Sequence, residues 1–119
     1  MRTVKWFHKR DPAAEAARLD ELTLRALQDR GADLLQPRHV THHLHFPSHE
    51  VALAVAESMR ADGYTVALDR SAIGETWLAR AETTAVVSAE SCARDRARFV
   101  VLAAASGGKY DGWEASATP

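Results

Sequence analysis

The chain has 119 residues, of which 46% are hydrophobic, and its 15 basic and 16 acidic residues nearly cancel. This length fits one domain with its own hydrophobic core. The near-zero net charge argues against broad nonspecific attraction to nucleic acid. The single cysteine, Cys92, cannot form an internal disulfide and favours a reducing, cytoplasmic compartment. The apolar stretch within the basic residues 1–11 is too short for a signal peptide or a membrane span. We expect these residues to form a flexible basic N-terminus.

The first predicted element is a helix that begins at Pro12 and is stopped by Gly31. The residues between them are rich in Ala, Leu, Glu and Arg, which are good helix formers. Leu19, Leu22 and Ala26 recur at helical spacing, so we expect this stripe to pack against the rest of the domain.

The pattern changes from helical to alternating after Pro37, which predicts the first strand. Its side chains alternate between a mainly apolar set and a polar set, namely Val40, His42, Leu44 and Phe46, and then His39, Thr41, His43 and His45. The polar set is expected to line a sheet face that no helix covers.

Five more elements follow, each delimited by a capping or turn residue. They are a helix at about 49–62, strands at 64–69 and 77–85, a helix at about 89–106 and a strand at 109–115. Ser48 and Ser88 are the predicted helix N-caps. The phase of the strand at 77–85 is ambiguous, because Ala and Arg alternate there without a strong apolar side. In the last helix the expected buried residues are Cys92, Phe99, Val100 and Ala103.

This order of elements predicts an α+β fold. It matches a ferredoxin-like βαββαβ sandwich with a four-stranded antiparallel sheet and an extra N-terminal helix. The first and third strands are expected to be central, with both internal helices on one face. Because no repeat or linker interrupts the pattern, residues 12–115 are predicted to form a single domain, followed by a disordered tail at 116–119.

The histidines of the first strand are candidate metal ligands, because imidazole is a common ligand in proteins. His39, His43 and His45 project to one face, whereas His42 points to the other. A zinc site would need a further ligand or a water, and no cysteine or carboxylate is clearly placed to complete it. The alternative is that the three side chains line a half-solvated sheet face and that His42 is hydrogen-bonded locally. No cofactor is therefore expected.

Motifs for catalysis are missing, so the chain is expected not to be an enzyme. Cys92 lies in an apolar helical stripe and should behave as a small buried hydrophobe. No Gly-x-Ser-x-Gly elbow, phosphate loop or dinucleotide fingerprint is present. A basic patch could be assembled, but its helical members spread around more than half of the helix, and direct nucleic-acid binding is not expected. The residues of that patch are Arg94, Arg96, Arg98, Lys5, Lys9 and Arg10, with Trp6 or Phe7 as stacking partners.

The last predicted strand holds the leading candidate for a functional site. The predicted topology places it beside the first strand, with Tyr110 and Trp113 close to His43, His45 and Trp77. Tyr, Trp and His on an open sheet face are typical of protein contact surfaces. Equally, the two aromatic residues could complete the core, and the sequence phase does not decide between these interpretations. The candidate partner-binding residues are Tyr110, Asp111, Trp113, Glu114, His43 and His45.

From Ala13 to Ala115 the chain resembles the RraB family of ribonuclease E inhibitors, the regulators of ribonuclease E activity B. The resemblance rests on four motifs in the family's order, which are Gly31-Ala32-Asp33, His42-His43-Leu44, Gly63-Tyr64 and Tyr110-Asp111-Gly112-Trp113. It implies a ferredoxin-like regulator that binds ribonuclease E and restrains its cleavage of RNA without being a nuclease.

One departure from the family pattern affects the expected contact. Better-known members resembling this chain are acidic and carry an acidic tail after the Tyr-Asp-Gly-Trp motif, whereas this chain is nearly neutral and ends at Pro119. A charge-driven contact with an arginine-rich scaffold is therefore expected to be weaker here. The alternative function is a small-ligand or metal-binding module that uses the His-rich open face, and a homodimer through an exposed strand edge is compatible with either function.

Overall fold

The computed structural model describes residues 12–71 and 74–118, so the predicted basic N-terminus at 1–11 and the end of the predicted tail lie outside the described residues. Within the described ranges seven elements follow one another: α1 (Pro12–Asp29), β1 (Arg38–Phe46), α2 (His49–Ala61), β2 (Thr65–Arg70), β3 (Trp77–Ala85), α3 (Ala89–Ala104) and β4 (Lys109–Ala115). This order confirms the predicted α+β pattern with an additional N-terminal helix.

The four strands form one antiparallel sheet in the order β2-β3-β1-β4. Strands β1 and β3 are central, as predicted for a ferredoxin-like domain, and their register is continuous from Arg38 opposite Ala85 to Phe46 opposite Trp77. Helix α2 lies over β2 and β3, and α3 lies over β4 and β1. Both helices share one core with the sheet, so they cover the same face. The other face carries the polar residues of β1.

The main core lies between this sheet face and helices α2 and α3. The apolar side of β1 supplies Leu44 and Phe46, which are buried together with Met59 of α2 and Phe99 of α3. Side chains alternate across a strand, so the same face of β1 also buries Val40 and His42. On β3 the small residues Ala79 and Ala81 are buried, which settles the phase that the sequence left ambiguous.

Helix α1 packs on α3 with a different face from the predicted one. Asp20, Leu24 and Leu27 are buried, whereas Leu19 and Leu22 are about half exposed and Ala26 is exposed. The predicted stripe of Leu19, Leu22 and Ala26 is therefore wrong. The physical reason is Asp20. Its carboxylate accepts hydrogen bonds from the side chains of Arg96 and Trp113, so the side of the helix that carries Asp20 faces the interior.

The predicted face of α3 is correct in three positions and wrong in one. Cys92, Phe99 and Ala103 are buried, but Val100 is 47% exposed. Val100 directly follows Phe99, so it is turned by about 100° away from the sheet. It lies instead beside α1, where two surface grooves meet.

The chain beyond β4 is held by a buried arginine. Arg38 is fully buried, and its guanidinium donates to the carbonyl oxygens of Ser116 at 2.8 Å, Ala117 at 3.0 Å and Asp33 at 2.7 Å. The Ser116 amide also donates to the carbonyl of His39 at 2.9 Å. These bonds fix the start of the segment for which the sequence predicted a disordered tail.

Candidate functional site

A β-bulge in β4 determines where the candidate site residues point. His42 lies opposite Trp113 and Leu44 lies opposite Tyr110, so the two residues Asp111 and Gly112 share the place opposite His43. Gly112 has φ of 100°, a left-handed conformation that glycine adopts readily. The extra residue reverses the alternation of side chains along the strand. Residues 110 and 113, which would point to opposite faces of a regular strand, therefore point to the same one.

This left-handed turn gives a testable requirement for glycine. Replacing Gly112 with alanine should cost about 1–2 kcal/mol, because an L-residue is strained at this φ. Crowding would not contribute, since a Cβ atom there meets nothing within 4 Å among the described residues. Urea unfolding would measure the loss, and Gly112→Asn should lose less because asparagine tolerates left-handed conformations better. An alanine variant as stable as the parent would contradict the assigned bulge.

Trp113 points to the helix side of the sheet and is held there by a buried carboxylate. Its Nε1 donates to Oδ1 of Asp20 at 2.9 Å, and Arg96 donates to the other oxygen of the same carboxylate. The indole packs on a small core cluster formed by Leu24, Val40, Val87 and Cys92. Trp113 thus joins α1, α3 and β4.

Tyr110 also points to the helix side. Its ring stacks on Phe99 with centroids 5.5 Å apart, and its hydroxyl is hydrogen-bonded to Nδ1 of His42 at 2.8 Å. Burial raises the pKa of the phenol above its usual range. Trp77 likewise packs on the main core, with His49 4.4 Å away between ring centroids.

The expectation that Tyr110 and Trp113 lie beside His43 and His45 is therefore wrong. The two aromatic residues occupy the opposite face of the sheet, because the bulge turns both of them toward the helices. The same bulge sends Asp111 and Glu114 to the open face.

The open face brings four of the six candidate residues together as two pairs. Nε2 of His43 lies 3.1 Å from Oε1 of Glu114, and Nε2 of His45 lies 3.4 Å from Oδ2 of Asp111. Both carboxylates are more than half exposed. These two imidazole–carboxylate pairs form one polar surface that crosses from β1 to the edge strand β4.

The alternative metal ligands are not gathered at one point. His39 pairs with Glu82 at 2.7 Å, whereas His43 and His45 each pair with a different carboxylate of β4. Within residues 12–71 and 74–118, no group of three or more His, Cys, Asp or Glu side chains could hold a metal ion. The spacing of His39, His43 and His45 along β1 explains this, since residues four apart on a strand are about 13 Å apart.

His42 and Cys92 are two titratable residues on the helix side of the sheet, and both are buried. Burial, and then the nearby charges of His43 and Arg98, lower the pKa of His42 to about 4. Burial raises the pKa of the Cys92 thiol to about 12, so this thiol stays protonated at neutral pH and is a poor nucleophile. This supports the interpretation of Cys92 as a small buried hydrophobe. His42 has a local hydrogen bond, as expected, and its partner is Tyr110.

The arginines of α3 are compensated by neighbouring carboxylates. The pairs are Arg94 with Asp95, Arg96 with Asp20 and Arg98 with Asp62. The guanidinium of Arg98 also lies 5.7 Å from the ring centroids of Tyr64 and Phe99. The N-terminal members of the basic patch considered from the sequence, Lys5, Lys9 and Arg10, fall outside the described residues.

A groove borders β4 on the side opposite the open face. It encloses about 380 Å³ between α1, α3 and β4. Its lining combines Tyr110, Asp111 and Trp113 with the exposed apolar residues Leu19 and Val100. Asp111 therefore lies at the border between the groove and the open face. Sequence reasoning missed Leu19 and Val100 as surface residues. Helical spacing shows that each belongs to an apolar stripe of its own helix, but it does not show which way that stripe faces.

The fold is that of a ferredoxin-like domain, and its open face carries two imidazole–carboxylate pairs that join β1 to β4. The chain belongs to the RraB family, because the family model for the regulator of ribonuclease activity B matches residues 17–115. The match runs from α1 to the last residue of β4 and confirms the resemblance seen in the sequence. This family is one of regulators rather than of catalysts. No curated protein is similar enough to this chain to count as a match.

None of the helices in the described ranges is both long enough and apolar enough to cross a membrane.

Proposed function

We propose that this protein binds ribonuclease E by direct protein contact and restrains its cleavage of RNA in the cytoplasm, without catalysis of its own. The observation that carries the proposal is the family match, which spans α1 to β4 and so covers nearly all of the fold. The chemistry of the described residues agrees with a non-catalytic role, since the thiol of Cys92 is buried and protonated and the imidazole of His42 is buried and neutral.

The proposed docking site is the edge formed by β4 and the adjoining part of β1. On the open face it consists of Asp111 and Glu114 with their partners His43 and His45. On the other side the partner would reach the groove, where parts of Tyr110 and Trp113 are accessible. Because β4 is an edge strand, one partner segment can touch both sides of it. Tyr110 and Trp113 also fix the position of β4 through their contacts on the helix side of the sheet.

The charge of the open face favours a basic segment of the partner. The strands present four carboxylates on this face and two permanently charged cations, which leaves an excess of two carboxylates when the histidines are neutral. The carboxylates belong to Asp69, Glu82, Asp111 and Glu114, and the cations to Arg80 and Lys109. An exposed charge contributes mainly to the rate of association and to specificity, so the contact should weaken with added salt.

The test combines binding and cleavage assays with a charge-neutralising variant. The parent should bind ribonuclease E, full length or a fragment, and slow its cleavage of a model RNA. Asp111→Asn with Glu114→Gln should weaken binding about tenfold, equivalent to roughly 1.4 kcal/mol. Thermal unfolding should show that the variant is as stable as the parent, because both carboxylates are exposed.

A matched control removes the same charge elsewhere. Glu57 and Glu90 are exposed on α2 and α3, which cover the other face of the sheet, and Glu57→Gln with Glu90→Gln should bind like the parent. Equal weakening in both double variants would show that net charge acts and that the β4 edge is not the site. A folded parent that neither binds ribonuclease E nor slows its cleavage at tens of micromolar would overturn the proposed function itself.

A further inference from the structure

A small cavity lies between α3 and the central part of the sheet. It is lined by residues of β1, β3, α3 and β4 and by the segment that leads into α3, and two of its polar lining residues are His42 and Asp95. The volume open to the centre of a water molecule is about 20 Å³. One water molecule needs about 10–15 Å³ on this measure, so the cavity has the size of a single water.

His42 lines this cavity and has one ring nitrogen that lacks a hydrogen-bond partner among the described residues. The residue is only 3% exposed, and its Nε2 has no hydrogen-bond partner among the described residues. Nε2 lies 3.9 Å from Oδ2 of Asp95, which is too far for a direct hydrogen bond. The ring cannot easily turn to shorten this distance, because Nδ1 is bonded to the Tyr110 hydroxyl and Phe99 lies 4.6 Å away between ring centroids.

The hydrogen-bond partners determine which nitrogen carries the proton. Among the described residues the Tyr110 hydroxyl has Nδ1 of His42 as its partner, so the hydroxyl can donate to that nitrogen. Neutral imidazole then carries its proton on Nε2. The nitrogen that carries this proton lies 3.9 Å from the nearest oxygen of Asp95, and both residues line the cavity. A donor and an acceptor that are too far apart for a direct hydrogen bond thus both belong to residues that line a cavity of the size of one water.

We propose that this cavity is a binding site for one ordered water molecule, which accepts the N–H of His42 and donates to the carboxylate of Asp95. Two hydrogen bonds of about 2.8 Å can span the 3.9 Å between Nε2 and Oδ2 with an angle of roughly 90° at the water. Buried waters typically satisfy polar groups that would otherwise lack partners. The chain from Tyr110 through His42 and the water to Asp95 then joins β4, β1 and α3. The site does not depend on ribonuclease binding.

Nuclear magnetic resonance of the full chain in solution tests this directly. A water-selective Overhauser experiment should give cross-peaks between water and the ring protons of His42, with the sign of a long-lived internal water. The ¹⁵N shifts of the same ring should show the proton on Nε2. Absence of the water cross-peak in the folded parent would overturn the proposal. A scalar coupling across a direct hydrogen bond from Nε2–H of His42 to the carboxylate of Asp95 would overturn it as well.

Two variants at one position identify the acceptor. Asp95→Asn keeps an oxygen acceptor and should keep the cross-peak, whereas Asp95→Leu removes the acceptor and should lose it. Glu90→Leu also replaces a carboxylate with leucine, at an exposed position of α3, and should leave the peak unchanged. A cross-peak that survives in the folded leucine variant would contradict the role of Asp95. If the leucine variant does not fold, electron density of the parent crystal decides, since a water peak is expected between His42 and Asp95.

Discussion

Replacing Trp113 with alanine should lower the free energy of unfolding by about 4 kcal/mol, which is the size expected for removing a large aromatic side chain from a packed site. The indole packs on the cluster that contains Leu24, Val40 and Cys92, so its loss leaves a cavity between α1 and the sheet. The change also removes the Nε1 donor of a buried carboxylate, that of Asp20. Urea unfolding followed by circular dichroism would measure the change.

Two further variants separate the packing of the indole from its hydrogen bond. Trp113→Phe keeps most of the apolar contact and should cost about 2 kcal/mol, the value of a lost bond to a charged group. Leu35→Ala removes a side chain that is 82% exposed and should change stability by less than about 0.5 kcal/mol. An alanine variant of Trp113 that is as stable as Leu35→Ala would contradict the packing role and favour a pure contact role.

The same variant also separates stability from partner binding. Trp113→Phe should still present Asp111 and Glu114 on the open face, because the bulge at Gly112 rather than the indole sets their direction. We therefore expect it to lose stability with little loss of ribonuclease binding. The double variant at Asp111 and Glu114 should show the opposite behaviour.

The strand and helix pattern could be predicted from the sequence because each element carries its own local signal. Ser48 and Ser88 are found as N-caps, with their hydroxyls accepting from the amides of Val51 and Ser91. Alternation along β1 correctly separated the buried His42 from the open-face His43. These signals arise between residues that are close in the chain, so the sequence alone is sufficient to predict them.

The directions of Tyr110 and Trp113 could not be predicted in the same way. A regular strand would place them on opposite faces, and only the pairing with β1 shows that Gly112 belongs to a bulge. Asp20 is a similar case. Its burial depends on Trp113, which lies 93 residues later in the chain, and on Arg96. Local periodicity cannot register contacts of this kind, and so it assigned the wrong face of α1 to the interior.

The second large effect should appear as a fall in stability between pH 7 and pH 4 that originates at His42. Burial lowers the pKa of this imidazole from 6.5 to about 4 in the folded protein, so the unfolded chain binds the proton more readily over this range. The contribution of His42 is fully present above pH 6.5 and is lost as the pH falls toward 4. A pKa difference of this size corresponds to roughly 3 kcal/mol.

Asp95 acts in the opposite direction at the acid end of the range. Burial raises the pKa of its carboxyl group, so the folded protein binds that proton more readily than the unfolded chain does. Acidification through the titration of Asp95 therefore adds stability and offsets part of the loss caused by His42. The decline caused by His42 should therefore be steepest between the pKa of 6.5 in the unfolded chain and the pKa of about 4 in the folded protein, and the titration of Asp95 should reduce it at the acid end.

The origin of the decline can be assigned with two glutamine variants, using urea unfolding at a series of pH values. His42→Gln removes the buried imidazole and should flatten the profile over this range, whatever its overall stability. His39→Gln removes an imidazole from the open face of the same strand, where the side chain is half exposed, and should keep the slope of the parent. A His42→Gln variant with an unchanged slope would place the pH dependence elsewhere, and His42 would then not be the buried neutral base that joins β1, β4 and α3.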